Sequence, residues 1–348
     1  MPKRLASLDW LRGLMALSIM LYHLGGRNNA ATPLGRLGIY GVSIFFILSG
    51  LSMAIAYDRY IKDLRSGGAF FVRRLFRIWP LLWVAVALVA APAYFSAKPF
   101  SAKMIGLNLS TLFGFVAPTQ YINMGAWSIG NEMVYYAFTP IFIAVYHWRK
   151  SIGNVITLAT VCIGMLFAFR LIDSSATLES QWSFYVNPFN NLFLYSAGLA
   201  IYYNFREVEL PRSGAFPLLL VVVIMFLFYP ASGDQISIVT GINRVAMSLI
   251  SVAIVVVFYK CPPFLPAWFG EKFEQLGIAT YGVYLLHPIV MGWTRNVFQL
   301  IGINNSYLFV FLVIGLTIGL ALITFKVYEA PLIGIGKRLT QGSARKSD

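Results

Sequence analysis

The sequence predicts an all-α fold, a polytopic integral membrane bundle of about ten transmembrane helices plus one short interfacial or re-entrant segment. Three observations predict it. The 348 residues are 58% hydrophobic and 11% charged, with a mean hydropathy of +0.71, which leaves too few charges for a water-exposed surface. Apolar runs near 20 residues, long enough to cross a hydrocarbon core ~30 Å thick, recur along the chain. Lys and Arg collect in alternate connections between those runs, which is the signature that orients membrane helices.

Spans are expected at about 5–25, 37–57, 78–95, 127–146, 152–170, 188–205, 215–231, 243–259, 276–294 and 306–326. The basic start MPKR resembles a signal-peptide n-region, but Asp9 and Arg12 interrupt the apolar stretch behind it and no small-residue cleavage site follows, so the first helix is expected to be kept. With the N-terminus inside, the cytoplasmic segments hold 19 of the 27 Lys and Arg residues, six of them between Arg59 and Arg77 and five from Lys326 to Lys346, whereas 171–187 and 232–242 hold none. Both termini are therefore expected in the cytoplasm. That distribution assigns the net charge of +14 to topology and to the bilayer surface, not to nucleic acid.

The stretch MIGLNLSTLFGFVAP, 104–118, is short for a span and carries Asn108 and Ser110. If it crossed, His147, Arg149 and Lys150 would face outward and invert the charge bias, so it is read as interfacial or re-entrant. The domain expected to fill the membrane covers 1–334, and 335–348 is read as a basic cytoplasmic tail on the anionic inner leaflet. Cys162 and Cys261 offer neither a disulfide nor a metal spacing, and no internal repeat, P-loop, GxGxxG or serine or cysteine nucleophile motif is visible. No metal and no permanently bound cofactor are expected.

Ionisable side chains at membrane depth are costly and mark functional sites by default. In SLDWLRGLMALSIMLYHLGG, 7–26, Arg12 and His23 stand eleven residues apart, about three turns at 100° per residue, so they share one helix face ~16 Å apart along the axis. The simplest role for Arg12 is a salt bridge to Asp9, three residues earlier, and an arginine fork so engaged still has donors for a phosphate or carbonyl oxygen. In GAWSIGNEMVYYAF, 125–138, Glu132 lies inside a span, where it either braces helices through Trp127, Ser128 or a tyrosine, or fixes the tautomer of His23 on another helix and stabilises its imidazolium. Tyr135 and Tyr136 have hydroxyls suited to a sugar. In FFVRRLFRIWPLLW, 70–83, Arg73, Arg74 and Arg77 form a basic run of the kind that usually sets topology, and Arg74 and Arg77 share a face suited to a polyphosphate. Arg170, Arg244 and Arg295 read as interfacial side chains snorkelling to water. His147 reads as solvated, and His287, which precedes Pro288, as a bond to a freed carbonyl.

Taken together these stretches resemble the acyltransferase-3 family of membrane acyltransferases, over residues 5 to about 334. LDWLRGLMALSIMLYH looks like the family's R-x10-H signature, with Arg12 and His23 at the two named positions, and FFILSG (45–50), RLFRIWP (74–80), WSIGNEMVYY (127–136), YGVYLLHPIV (281–290) and YEAPLI (328–333) follow in the family's order. Two positions depart: Leu51 stands where members often have Phe, and Leu82 where they have an aromatic residue. Both changes are apolar and bear on packing or acceptor fit. Many members also carry a fused extracytoplasmic esterase-like domain; none is expected within these 348 residues, and if transfer needs a second, periplasmic step, another protein is expected to supply it.

The resemblance implies transfer of an acyl group, usually acetyl, from cytoplasmic acyl-CoA to a hydroxyl of an extracytoplasmic polysaccharide or lipid-linked glycan. Acetyl-CoA, or another acyl-CoA such as succinyl-CoA, is then a co-substrate. The partners implied are that donor, the glycan acceptor, the lipid bilayer, and glycan-synthesis machinery or a periplasmic transferase. His23 and Glu132 become the expected catalytic residues, Arg12, Arg73, Arg74 and Arg77 the donor-binding residues, and Trp127, Ser128, Tyr135, Tyr136 and His287 the acceptor-binding residues. His23 is expected to act as a neutral general base, with an acyl-histidine relay as the competing route. A transporter or flippase for a glycan or small anion would also bury Arg, His and Glu, but the paired repeats and paired broken helices typical of secondary carriers are missing.

Overall fold

The computed structural model describes residues 5–25, 29–261 and 267–341, so the last residues of the basic tail, 342–348, lie outside it. The helices in order are α1 (Ala6–Gly25), α2 (Pro33–Tyr57), α3 (Leu64–Phe95), α4 (Ala102–Leu109), α5 (Phe113–Val116), α6 (Ala126–Trp148), α7 (Lys150–Leu166), α8 (Trp182–Tyr185), α9 (Pro188–Phe205), α10 (Arg212–Leu227), α11 (Ile236–Val239), α12 (Gly241–Lys260), α13 (Ala267–Ile278), α14 (Thr280–Leu300), α15 (Ser306–Thr324) and α16 (Ala330–Leu339). Apart from one isolated antiparallel bridge, Asn29 to Asp234, the described residues form no strand.

Most stretches read as spans lie on helices, but 276–294 runs across the break between α13 and α14 and 215–231 runs past the end of α10, and five helices among the described residues are long and apolar enough to cross a bilayer, or six if the bent pair Trp268–Ile278 and Thr280–Leu300 forms one span. The count of about ten crossings thus exceeds what length and composition establish. Ser213–Leu227, for example, is apolar but shorter than a full span. The stretch 104–118 forms two short helices, α4 and α5, separated at Thr111, whose φ of 61° is left-handed. Asn108 holds this bend together: its amide donates to the carbonyls of Met104 and Gln120, and its Oδ1 accepts from Ile122 N–H at 3.0 Å.

The chain divides into two compact units, Met1–Lys62 with Val134–Gly277, and Asp63–Met133 with Ile278–Asp348, so the division falls within α6. In the first unit α2 is the central helix, packed against α1, α9 and α12. Its closest crossing is with α9, where a Cβ on Gly50 would lie 2.0 Å from the Tyr195 carbonyl oxygen and one on Gly198 2.1 Å from that of Ile47. Small residues let two backbones approach this closely, and van der Waals packing then replaces the hydrophobic effect that lipid cannot supply.

Two arginines buried in this unit close helix ends. Arg36 donates Nε to the Phe226 carbonyl at 3.1 Å and Nη2 to that of Leu227, and so caps the C-terminus of α10. Arg244 corrects the snorkelling expectation. It is 3% exposed, donates to the carbonyls of Val239 and Asn190 and to Asn191 Oδ1, and lies over the Phe193 ring. The Val239 carbonyl, at the C-terminal end of α11 where intrahelical donors run out, gives it a reason to stay inside.

In the second unit α14 packs on α15, and α3 packs on α14 and α16. Tyr281 on α14 donates its hydroxyl to the Ile78 carbonyl at 2.8 Å, and Asn123 donates to that of Leu285 at 2.8 Å.

The α2–α9 crossing is testable. Gly50→Ala and Gly198→Ala place a methyl group on backbone and should each destabilise the protein in detergent by about 1–3 kcal/mol, seen as a lower thermal midpoint. Gly68→Ala, in a helix position with nothing within 4 Å, should be neutral or raise the midpoint. Equal behaviour of the three variants would show that the crossing is not as close as described.

Candidate active site

α1 runs without a break from Ala6 to Gly25, so the eleven-residue interval between Arg12 and His23 is helical throughout and both side chains face the same way. Arg12 donates Nη1 to Asp9 Oδ1 at 2.5 Å and Nη2 to Ser52 Oγ on α2, and the Ser52 hydroxyl donates onward to the Leu48 carbonyl. Asp9 is fully buried and the Arg12 side chain is 26% exposed. The contact expected from the i, i+3 spacing therefore forms, and a third group on α2 fixes the guanidinium plane. Among the described residues Nε and the second hydrogens of the two Nη groups have no protein partner, which suits them to an oxyanion.

The backbone of α1 at this point is pressed against α13. A Cβ on Gly277 would lie 2.1 Å from the Asp9 carbonyl oxygen, and Trp10 Nε1 donates to the Gly270 carbonyl at 2.9 Å. The helix that carries Arg12 and His23 is thereby held on two sides, by α2 and by α13. At its far end His23 is half-buried beside the Tyr22 ring at 5.3 Å, and the Tyr22 hydroxyl donates to Gln235 Oε1 at 3.0 Å.

The first unit also holds the two tyrosines. Tyr136 is buried with its hydroxyl 3.4 Å from Ser49 Oγ, in the FFILSG stretch of α2. Tyr135 is fully buried and donates its hydroxyl to the Pro188 carbonyl at 2.8 Å, between the rings of Phe46 and Tyr195. It braces α6 against the start of α9.

The remaining candidates belong to the second unit. Arg77 donates Nη1 to Glu329 Oε2 at 2.8 Å, Arg73 donates Nε to Thr340 Oγ1 at 2.6 Å, and Arg74 is half-buried next to them on α3. Glu132 is half-buried on α6. Ser128 and Tyr284 share a hydroxyl contact at 2.9 Å, both within reach of the Gly125 carbonyl, which ties WSIGNEMVYY to YGVYLLHPIV; Trp127 is buried beside Ser128 in sequence. His287 is buried with Nδ1 3.1 Å from the Val283 carbonyl, one residue before the carbonyl that Pro288 frees. His23 and Glu132 thus belong to different units. Arg12 is brought together with Asp9 and Ser52, Arg77 with Glu329, and Ser128 with Tyr284.

Sequence reasoning missed Ser52, Glu329 and Asp58. Asp58, just past the end of α2, accepts from His147 Nε2 at 2.7 Å, Tyr203 at 2.8 Å, Tyr202 at 3.1 Å and Arg206 at 3.5 Å. Burial pushes its carboxyl up, but the hydrogen bonds from His147, Tyr203 and Tyr202 outweigh this and hold it below the usual carboxylate range. His147 is therefore bound to a carboxylate, not merely solvated. Only YEAPLI gave a sequence signal for Glu329, and nothing in the sequence points Asp58 to its partners. Among the described residues no group of His, Cys, Asp and Glu could hold a metal ion.

Residues 5–326 match the acyltransferase-3 family, described as an acyltransferase domain. The chain is 25% identical over 351 residues to an exopolysaccharide production protein, ExoZ, of Rhizobium meliloti, covering 94% of this chain and 99% of that one. It is 26% identical over 311 residues to a Komagataeibacter xylinus protein whose name describes a membrane-bound transacylase, BcsY, covering 82% of this chain and 73% of that one. It is 23% identical over 359 residues to the peptidoglycan O-acetyltransferase OatA of Listeria monocytogenes, covering 95% of this chain and 56% of that one, so it spans about half the length of this relative. No solved structure matches the chain.

The Arg12 cluster predicts asymmetric mutational costs. Asp9→Ala leaves Arg12 without its buried counter-ion and should cost about 3–5 kcal/mol of stability, whereas Asp9→Ala combined with Arg12→Met should recover much of that loss. Thermal or denaturant unfolding in detergent measures both. A single variant as stable as the parent would mean that the pair is not the brace described.

Proposed function

The chain belongs to the acyltransferase-3 family, and on that premise we propose that it transfers an acyl group, most simply acetyl, from cytoplasmic acyl-CoA to a hydroxyl of an extracytoplasmic polysaccharide or lipid-linked glycan. Relatives named for O-acetylation of peptidoglycan and for exopolysaccharide production support a glycan acceptor. The apolar helices and the relative named as membrane-bound mark the chain as a membrane protein. The charge bias supports a bacterial inner membrane crossed about ten times, with both termini inside.

The observation that carries this reading is the single face of α1 that presents Arg12 and His23 ~16 Å apart. That interval is about the hydrocarbon half-thickness of a bilayer, the distance over which a donor whose phosphates stay inside must present its thioester. Arg12, Arg73, Arg74 and Arg77 are the proposed donor-binding residues, and each supplies charge-assisted donors suited to phosphate oxygens. Trp127, Ser128 and Tyr136 are the proposed acceptor contacts.

In the proposed reaction, the neutral His23 imidazole accepts the proton of the acceptor hydroxyl as its oxygen attacks the thioester carbonyl. The new C–O bond forms, the C–S bond breaks, and the departing CoA thiolate takes the proton back from the imidazolium. Such a base contributes about 10²–10⁴ in rate, and a water-poor surrounding protects the thioester from hydrolysis. Glu132 is proposed to favour the imidazolium through its negative charge.

His23→Ala should abolish glycan acylation while acetyl-CoA still binds, because the arginines remain. Glu132→Gln should be severely slowed, and the double variant should be little worse than His23→Ala alone, since members of one catalytic unit are not additive. Steady-state transfer of labelled acetyl and equilibrium binding of acetyl-CoA check this. Robust turnover by His23→Ala, or full additivity, would overturn the assignment.

A further inference from the structure

The YEAPLI stretch has no part in the reaction just described, yet it supplies a buried carboxylate in the second unit. Phe325–Glu329 forms a π-helical turn between α15 and α16, a widened turn of the kind that recurs at functional positions. It directs Glu329, 2% exposed, at α3, where Oε2 accepts from Arg77 Nη1 at 2.8 Å. The other oxygen, Oε1, is buried without a hydrogen-bond partner among the described residues. A carboxylate kept half-satisfied at this depth destabilises the fold relative to an apolar residue of the same size, so its retention calls for a role.

The surroundings of Arg77 bear on that role. Its guanidinium lies 5.6 Å from the centroid of the Tyr281 ring and 5.7 Å from that of Phe325, and the Tyr281 hydroxyl is itself tied to the carbonyl of Ile78, the residue after Arg77. One turn earlier on the same face, Arg73 donates to Thr340 on α16, whose hydroxyl donates back to the Gly336 carbonyl at 2.9 Å. Two long side chains of one arginine row are thus fixed from the same neighbouring segment. Arg77 keeps Nε and Nη2 without a protein partner among the described residues, on a side chain 26% exposed.

We propose that Glu329 is a positioning residue that holds Arg77 in the orientation in which its remaining donors grip the phosphates of the acyl-CoA. This rests on the donor reading given above. A carboxylate behind an arginine reduces its net charge, so the benefit comes from orientation: a guanidinium fixed before the ligand arrives loses less freedom on binding it.

The test compares two donors, acetyl-CoA and S-acetylpantetheine, which carries the same thioester without the nucleotide phosphates. With purified full-length protein, the parent should show a higher kcat/KM for acetyl-CoA. Glu329→Ala should raise the KM for acetyl-CoA roughly tenfold, the effect of one charge-assisted contact, leave kcat at saturating donor within about twofold, and leave S-acetylpantetheine unaffected. Glu329→Gln keeps an acceptor oxygen beside Arg77 and should lose less, and it decides the matter if the alanine variant is too unstable to purify. Equal losses on both donors, an unchanged or lower KM, or a parent enzyme indifferent to the phosphates would overturn the positioning role alone. A parent enzyme that neither binds nor turns over acetyl-CoA would instead overturn the donor reading on which it rests.

Discussion

Much of this structure follows from the cost of an arginine in an apolar helix bundle. Arg12 and Arg77, which stand in two separate motifs and two separate units, each rest on a buried carboxylate: Asp9 below the first and Glu329 below the second. Each ion pair leaves part of its guanidinium turned outward. Charges taken out of water need partners with good geometry, and the partners then dictate which segments lie next to each other. Ser52 faces α1 and serves Arg12 as a second acceptor, and the widened turn before α16 carries the Glu329 that pairs with Arg77. Arg36 and Arg244 meet the same constraint differently, with backbone carbonyls in place of a carboxylate, and both are buried.

The helices bearing these pairs are held by contacts of a different kind. In lipid the hydrophobic effect does not drive helices together, so close backbone crossings and interhelical hydrogen bonds carry the association. Gly50 and Gly198 at the α2–α9 crossing, and Gly277 against Asp9, are positions where any side chain would meet backbone. The Gly277 contact lies at the residue that anchors Arg12, so packing and charge placement share the same stretch of α1.

Local features were legible in the sequence and distant ones were not. The Arg12–Asp9 pair follows from a spacing of three on a helix, and the coincidence of Arg12 and His23 on one face follows from a spacing of eleven, because both depend only on helix geometry. Arg77 and Glu329 are 252 residues apart in sequence, and the residues alone gave Arg77 only an outward task. Arg244 was expected to reach water, since the sequence does not show that acceptors from α9 and α11 would converge on it. His147 looked solvated for the same reason, because Asp58 and the tyrosines that collect around it come from α2 and α9. The number of crossings is the least legible feature: the polar groups proposed for the site also interrupt the apolar runs by which spans are counted, and 104–118 folds as two short helices with a bend that Asn108 satisfies.

The central claim is that an acyl group held on one side of the membrane reaches a hydroxyl on the other. The most direct measurement places the purified protein in sealed proteoliposomes of known orientation, with labelled acetyl-CoA on the face that carries the N-terminus and a hydroxyl-bearing oligosaccharide only on the opposite face. Label appearing on the oligosaccharide, and none when donor and acceptor exchange sides, is the predicted result. Transfer that requires both substrates on the same face, or no transfer from acetyl-CoA with any acceptor while the protein remains folded, would contradict it.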